Sequence, residues 1–246
     1  MAAGEAAILK EEQKDFRYVD ITLPRDELSR NLGGGIPKNS ILLIEGQDGA
    51  GKSILAQRFT YSLLINNLSA TYISSELNTI SFIDQMESLD YDVKHYLLNE
   101  DLLFIPMFPL LGNTTLNQNF MSKLLKTEEL FKNEVIIFDT LSFLMIKNKI
   151  SENECFDLIN VLKKFASLGK TIVFNVDPAH LNATFLTLLR SVSDIYFKLN
   201  IKDFAGMTVR QISIPRFKRP QTNYQVNIPF KVESGKGLRI EIASFD

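Results

Sequence analysis

The feature that most constrains this chain is a glycine-rich run of the form G-x-x-x-x-G-K-[S/T], which occurs once in its 246 residues. Its members are Gly46, Gln47, Asp48, Gly49, Ala50, Gly51, Lys52 and Ser53. The apolar run before it, residues 40–45, is typical of a buried strand, and residues 52–67 after it have apolar side chains at helical spacing. A strand that leads through such a run into a helix is the context that indicates a phosphate-binding loop.

Each position of this loop has a chemical reason. Glycines let the backbone curl so that its N–H groups point inward, with no Cβ to block the phosphates. The positive end of the following helix adds its dipole. Lys52 would put a point charge on the β- and γ-phosphates, and the Ser53 hydroxyl would bind Mg²⁺. The sequence therefore predicts a site for ATP with Mg²⁺, and the alternative is a glycine-rich turn with a solvent lysine.

From about residue 40 to residue 200, continuous apolar runs alternate with amphipathic stretches. The runs typical of strands are residues 40–45, 70–75, 102–108, 135–138 and 171–175. The helical patterns lie in residues 52–67, around Phe82 and Met86, and in residues 152–168. This alternation predicts an α/β fold whose mainly parallel central sheet is covered by helices on both faces. Beyond residue 194 three further runs lack helices between them (194–200, 207–215 and 224–232), and the last two predict a C-terminal antiparallel extension.

Length and composition favour one intracellular domain. A chain of 246 residues with 45% apolar and 23% charged residues suits a single α/β core. We expect residues 18–246 to form that domain and residues 1–17, which lack the apolar segment of a secretory signal, to be a mobile N-terminal arm. No apolar stretch reaches the roughly 20 residues of a membrane span. The lone Cys155 fits a reducing, cytoplasmic location, and the net charge of −2 makes nucleic-acid binding unlikely.

Two carboxylates follow predicted strands. Asp139 comes directly after the apolar residues 135–138, at the carboxyl end where ligands sit in open parallel sheets. It is predicted to hold Mg²⁺, and the alternative is a cap on the next turn. Glu76 ends the second strand and is the candidate for orienting the attacking water, although a strand end is also an ordinary solvent position.

Other polar residues leave alternatives open. Asn175 and Asp177 end the fifth strand and either sense the γ-phosphate or form the turn before Pro178. The basic cluster at residues 216–219 is a solvated strand end, a contact to ATP across a subunit boundary, or a nucleic-acid contact. The two histidines are far apart in sequence, so no transition-metal site is predicted.

With these positions assigned, the sequence from about residue 25 onward resembles the KaiC-like branch of the RecA superfamily. The resemblance is carried by Leu32-Gly33-Gly34-Gly35-Ile36-Pro37, by residues 40–46 leading into Gly51-Lys52-Ser53, by the acids that follow the second and fourth strands, and by Ser191-Val192-Ser193-Asp194-Ile195-Tyr196. Within the branch, the single-domain length, the Leu43-Ile44-Glu45-Gly46 lead-in and the Ile105-Pro106-Met107-Phe108-Pro109 strand are most similar to the accessory ATP-binding proteins of the archaellum, the archaeal flagellum.

The resemblance implies a RecA-like P-loop fold with ATP bound by the loop and Asp139 on Mg²⁺. It also implies assembly into a homo-hexameric ring with nucleotide near the subunit boundaries. For the archaellum proteins it implies docking to the motor ATPase beneath a membrane platform complex, peripheral to the membrane-bound motor. In such proteins ATP acts as a conformational and assembly switch, with slow or no hydrolysis.

The sequence departs from the family pattern in two places. KaiC-like proteins often have two adjacent glutamates after the second strand, whereas Ser75 precedes Glu76 here, so the resemblance implies at most a weak ATPase. The Lys and Arg that reach a neighbour's phosphate in KaiC align in reversed order with Arg216 and Lys218, which makes these two the candidate trans contacts. The alternative function is a RecA-like DNA-dependent ATPase or recombinase paralogue. It is disfavoured because the chain has no helix-hairpin DNA module and no long basic glycine-rich loops.

Overall fold

The computed structural model describes residues 17–107, 127–204 and 207–241. The predicted N-terminal arm lies outside these ranges except for Arg17, whose carbonyl oxygen accepts a hydrogen bond from the Lys38 amide at 2.9 Å. Phe108 and Pro109, which the sequence assigned to the third strand and its end, also lie outside them.

Strands and helices alternate along the described chain. The strands are β1 (Tyr18–Asp20), β2 (Gly35–Pro37), β3 (Ile41–Gly46), β4 (Ala70–Ser74), β5 (Leu102–Pro106), β6 (Val135–Asp139), β7 (Thr171–Val176), β8 (Ile195–Phe204), β9 (Met207–Phe217), β10 (Asn227–Glu233) and β11 (Gly237–Ile240). The α-helices are α1 (Leu28–Asn31), α2 (Lys52–Ile65), α3 (Thr79–Ser88), α4 (Lys94–Leu98), α5 (Leu141–Lys147), α6 (Glu152–Ser167) and α7 (Ala183–Val192). Short 3₁₀ turns span Glu128–Phe131 and Pro178–His180.

Within the described residues, nine strands form one sheet in the order β11-β10-β9-β8-β3-β7-β6-β4-β5. The pairs from β8 through β3 to β5 are parallel, and those that join β8, β9, β10 and β11 are antiparallel. β1 and β2 form a separate antiparallel pair. The predicted α/β class, with a mainly parallel sheet and a C-terminal antiparallel extension, is confirmed.

Side chains of each central strand alternate between two apolar cores. Leu42 and Ile44 of β3 face the core formed with α2 and α3, whereas Ile41 and Leu43 face the core formed with α5, α6 and α7. Successive side chains of a strand point to opposite faces, so a strand buried on both faces is apolar throughout. Helices therefore cover both faces of the sheet, as the sequence predicts.

Three of the α-helices in the described residues begin with a side-chain cap. Ser151 and Glu154 form a capping box at the start of α6, and the side chains of Asn78 and Asn182 cap α3 and α7. Helix α7 was not predicted from the sequence, although Asn182 followed by Phe185 at the start of an amphipathic run is a usable signal. Nor were α5, whose apolar residues surround the whole helix and so lack periodicity, and the four-residue strand β11.

Candidate functional site

The glycine-rich loop lies between β3 and α2, as the sequence predicts. Gly49 and Gly51 have φ angles of +73° and +95°, in the left-handed region that favours glycine. A Cβ on Gly51 would lie 3.2 Å from the ring of Phe230, whereas a Cβ on Gly49 would meet no described atom within 4 Å. The loop is therefore packed against β10 on one side and open on the other, which leaves room for an anion.

The ammonium group of Lys52 is held inside the fold by its own chain. It donates to the carbonyl oxygen of Gln47 at 2.9 Å and lies 3.5 Å from Oδ2 of Asp177. Lys52 and Asp177 are only 8% and 5% exposed, so solvent screens their attraction poorly. A phosphate bound in the loop would compete with Asp177 for this ammonium group.

Asp139 ends β6 and stands beside the first turn of α2. Its Oδ1 accepts from Ser53 Oγ at 2.9 Å and from Asn175 Nδ2 at 2.7 Å, and its Oδ2 accepts from the Tyr72 hydroxyl at 2.6 Å. Burial, with the charge of Asp139 as a second cause, raises the pKa of Tyr72 well above its usual value, so the hydroxyl stays a donor. The structure thus brings Ser53 and Asp139, the two predicted Mg²⁺ residues, into direct contact.

The oxygen atoms at this point fit a hydrated Mg²⁺. Ser53 supplies a hydroxyl and Asp139 a carboxylate. Asn175 Oδ1 is buried and has no hydrogen-bond partner among the described residues, although an unpaired buried acceptor is costly. Mg²⁺ takes hard oxygen ligands and keeps several of its waters, and one of those waters would satisfy the Asn175 oxygen.

Glu76 lies two residues after the end of β4 and lines the same cleft as Lys52 and Ser53. Glu76 is exposed overall, but desolvation around its carboxyl group raises its pKa, repulsion from Asp139 adds to the rise and Lys52 opposes it. A raised pKa makes the carboxylate a better proton acceptor. Its neighbour Ser75 stands where many KaiC-like proteins have a second glutamate. The Ser75 side chain is buried, and its hydroxyl oxygen accepts from the Thr140 amide at 2.9 Å, which connects the end of β4 to the end of β6.

Of the two alternatives for Asp177, the turn before Pro178 is seen in the structure, whereas sensing of the γ-phosphate stays a prediction. Its Oδ1 accepts from the Ala179 amide at 2.9 Å, which forms the turn at Pro178, and its Oδ2 faces Lys52. Its own backbone amide donates to Ser142 Oγ at 2.9 Å. Asp177 is therefore both a turn former and a charged neighbour of the phosphate loop.

A cleft of about 300 Å³ lies along the phosphate loop. Its walls are Asp48, Gly49, Gly51, Lys52, Ser53, Ile54, Glu76, Thr140, Arg210 and Val232. Arg210 was not predicted as a site residue. The residues around it in β9 do not indicate that it packs against a loop 161 positions earlier in the chain. Arg210 Nε donates to the carbonyl oxygen of Gly49 at 3.0 Å.

A buried ionic cluster lies behind the loop and was also missed. Glu45, only 2% exposed, receives two hydrogen bonds from Arg190 of α7 at 2.6 and 2.7 Å and one from the Tyr196 hydroxyl at 2.8 Å. Burial and the Glu45 carboxylate raise the pKa of Tyr196 to about 12. A glutamate inside the apolar β3 run is the signal that could have found this cluster, because a buried charge needs a partner.

The candidate trans residues lie away from the chain's own phosphate loop. Arg216 pairs with Tyr196, which pairs with Leu43, three positions before Gly46. The Arg216 guanidinium donates to the carbonyl oxygens of Arg190 and Ser193 at 2.5 and 3.0 Å, at the end of α7. Lys218 Nζ lies 3.1 Å from Asp194. Their role across a subunit boundary stays a prediction.

Comparison with known proteins adds the family context. Residues 25–244 match the family model described as "ATPase: KaiC". The archaeal flagellar ATP-binding protein FlaH of Methanococcus voltae is 38% identical over 229 residues, which cover 93% of this chain and 99% of that protein. The crystal structure of flagellar accessory protein FlaH from Methanocaldococcus jannaschii superposes with a TM-score of 0.86 at 37% identity, covering 92% of this chain and 100% of that one.

A more distant structure agrees in fold alone. A KaiC-like protein from Pyrococcus horikoshii superposes with a TM-score of 0.72 at 14% identity, covering 92% of this chain and 99% of that one. At this identity the likeness extends to the arrangement of strands and helices and no further.

Proposed function

This chain belongs to the KaiC family of ATPases and, within it, to the archaeal flagellar ATP-binding proteins known as FlaH, and from that premise we propose that it is the ATP-binding regulatory subunit of the archaellum motor complex. In this proposal Mg-ATP acts as a conformational and assembly switch, with slow or no hydrolysis. The observation that carries it is the open glycine loop whose lysine is paired with a buried aspartate, because nucleotide binding must then rearrange charges inside the fold.

Magnesium belongs to this proposal as the ion that neutralises the phosphate charge when ATP is bound. Ser53 and Asp139 would hold it, and Asn175 would accept from its water shell. Asp139 is kept in position by the Tyr72 hydroxyl, which occupies its second oxygen. The residues therefore orient the metal ligands before any ligand arrives, which limits the reorganisation that binding requires.

The proposed switch runs from Lys52 through Asp177 to α7. When Lys52 turns to the β- and γ-phosphates, the buried Asp177 carboxylate loses its cation and faces a phosphate of like charge. Asp177 begins the Pro178–His180 turn that leads into α7, and the other end of α7 is tied by Arg190 to Glu45, one residue before the loop. A movement of Asp177 would thus be transmitted to a helix anchored at both ends near the nucleotide.

Slow hydrolysis is supported by the single carboxylate at the catalytic end. Glu76 lines the cleft, and the adjacent Ser75 cannot supply a second carboxylate to orient or deprotonate the attacking water. We expect Glu76→Gln to lower any residual ATP turnover by about 10²-fold or more while leaving ATP affinity unchanged, because the group acts on the water and not on the phosphates. Phosphate release measured at saturating Mg-ATP checks this.

The matched control for Glu76 is Glu87→Gln on α3, which removes one carboxylate of an exposed pair with Lys94. This variant should hydrolyse ATP at the wild-type rate. Turnover that survives in Glu76→Gln would assign the attacking water to another group of the cleft, and Glu76 would lose its proposed role.

Partners and location follow from the family. We propose a homo-hexameric ring that docks to the motor ATPase beneath the membrane platform complex, in the cytoplasm and peripheral to the membrane. The relatives' names connect them with the archaeal flagellum, and that connection supports a place in its motor. In the ranges that the structure describes, no helix is long and apolar enough to cross a bilayer.

Native mass spectrometry of the purified chain, with and without Mg-ATP, tests the proposed function. We expect ATP to stay bound largely intact over hours and to shift the population towards the ring, whereas ADP should not. Steady conversion of ATP to ADP would refute the switch and favour a working ATPase. An oligomer distribution that is the same with ATP, with ADP and without nucleotide would refute the assembly role.

A further inference from the structure

Arg210 braces the phosphate loop from the antiparallel extension. It lies on β9 directly opposite Phe230 of β10, so both side chains point to the same face of the sheet. Arg210 Nε donates to the Gly49 carbonyl at 3.0 Å, and its Cδ lies 3.6 Å from the point where a Cβ on Gly51 would stand. Arg210 and Phe230 together cover the outer side of the loop.

The bracing bond uses only part of the Arg210 guanidinium. The group has five N–H donors, and Nε accounts for one of them. The terminal nitrogens have no hydrogen-bond or ion-pair partner among the described residues, although Arg210 borders the cleft that holds Lys52 and Ser53. A guanidinium with free donors next to an anion site is suited to bind a phosphate, since its planar fork matches phosphate oxygens.

The sheet order gives the cleft a direction. Thr140 and Glu76 follow β6 and β4, which lie on one side of β3, whereas Arg210 and Val232 belong to β9 and β10 on the other side. Lys52 and the metal residues take the β- and γ-phosphates, and the water-orienting carboxylate stands at the γ-phosphate end. The other end of the cleft, at Arg210, therefore receives the α-phosphate and the nucleoside.

We propose that Arg210 binds the α-phosphate of the nucleotide through its terminal nitrogens while Nε keeps hold of the loop. This inference rests on the proposed nucleotide site and adds a residue to it. Because ATP and ADP share the α-phosphate, Arg210 contributes equally to the affinity of both. It differs in this from the Lys52 and Asp177 pair, whose charge responds to the γ-phosphate.

The test is calorimetric titration of Arg210→Met with Mg-ATP, Mg-ADP and ATP carrying sulfur on the α-phosphate. Loss of a charge-assisted contact should weaken ATP and ADP by about tenfold each. For at least one isomer of the α-thio analogue, Arg210→Met should lower the affinity by a clearly smaller factor. Sulfur is a weak hydrogen-bond acceptor, so the wild-type protein already binds that isomer with a weakened Arg210 contact. Arg210→Lys, which keeps the charge but has neither the planar fork nor the Nε bond to the loop, should regain only part of the affinity.

Two controls separate contact from bracing. Gln211→Met changes the next residue of β9, which points to the opposite face, and should leave all three affinities unchanged. Phe230→Leu reduces packing on Gly51 without removing a charge, so any loss should be the same for ATP, ADP and the α-thio analogue.

The outcomes that overturn the inference are distinct from those that overturn the function. If Arg210→Met lowers the affinity for ATP and for both α-thio isomers by the same factor, Arg210 only braces the loop and the inference fails. Unchanged affinities in a folded Arg210→Met variant also refute it. A wild-type chain that binds none of the three ligands refutes the proposed function itself.

Discussion

Replacing Lys52 with alanine is expected to weaken Mg-ATP binding by about 100-fold or more. The ammonium group is the cation inside the loop, and each charge-assisted hydrogen bond contributes roughly 1.5–3 kcal/mol, so that two of them exceed two powers of ten. The loss should be larger for ATP than for ADP, because the proposed contacts of Lys52 include the γ-phosphate, which ADP does not have. Isothermal titration of the purified variant measures both affinities.

The ion pair with Asp177 complicates this variant and also supplies its control. Lys52→Ala leaves Asp177 buried without a cation, which destabilises the fold and repels phosphate at once. The double variant Lys52→Ala/Asp177→Asn removes the stranded charge and should regain stability but not ATP affinity. Asp177→Asn alone should bind ATP more tightly than the wild type, since the competing anion is gone.

Two results would contradict this account. Wild-type ATP affinity in a folded Lys52→Ala protein would mean that the loop does not hold phosphates. Full affinity in the double variant would mean that Lys52 acts only by neutralising Asp177 and makes no phosphate contact.

The largest effect on stability is expected from Arg58→Met. Arg58 of α2 and Asp26 are fully buried, with both side chains 0% exposed. Arg58 donates to both Asp26 oxygens at 2.9 and 2.6 Å and to the Ile21 carbonyl at 2.7 Å. Methionine keeps an unbranched apolar stem but removes the guanidinium and leaves the carboxylate unpaired, so the free energy of unfolding should fall by about 3–5 kcal/mol. The midpoint of urea denaturation checks this.

A double-mutant cycle identifies the cause. Because a buried ion pair can often be replaced by apolar residues at little cost, Arg58→Met/Asp26→Leu should be more stable than Arg58→Met alone. Lys231→Met, which breaks an exposed pair with Glu233, should leave the denaturation midpoint unchanged. If Arg58→Met has the wild-type midpoint, or if the two substitutions act additively, the pair does not stabilise the packing of α2 against the segment between β1 and α1.

Local sequence predicted much of the site because its signals are short in range. The phosphate loop, its strand and its helix are contiguous, and Gly49 and Gly51 are needed for the left-handed backbone conformation of the loop itself. Asp139 was placed by one rule, that the carboxyl ends of parallel strands meet at the same edge. The ends of strands and helices were predicted less accurately, since β10 begins at Asn227 although the apolar pattern suggested residue 224.

Pairings across long separations could not be predicted in this way. Glu45 and Arg190 are separated by 145 positions, and Arg210 and Gly49 by 161. Nothing in the residues next to Arg210 or Arg58 distinguishes them from solvent-exposed basic side chains. Their partners are set by the order of strands in the sheet, which a linear pattern does not encode.

The sequence by itself determined the fold class and the phosphate loop, because apolar periodicity and glycine spacing are properties of neighbouring residues. Only the tertiary structure decided which charges and hydrogen-bond donors surround that loop. Asp177 pairs with Lys52, the Tyr72 hydroxyl donates to Asp139, and Arg210 donates to the Gly49 carbonyl. The physical reason is that a charge or a donor can be satisfied by any complementary group within reach, and the packing of the sheet selects which one is there.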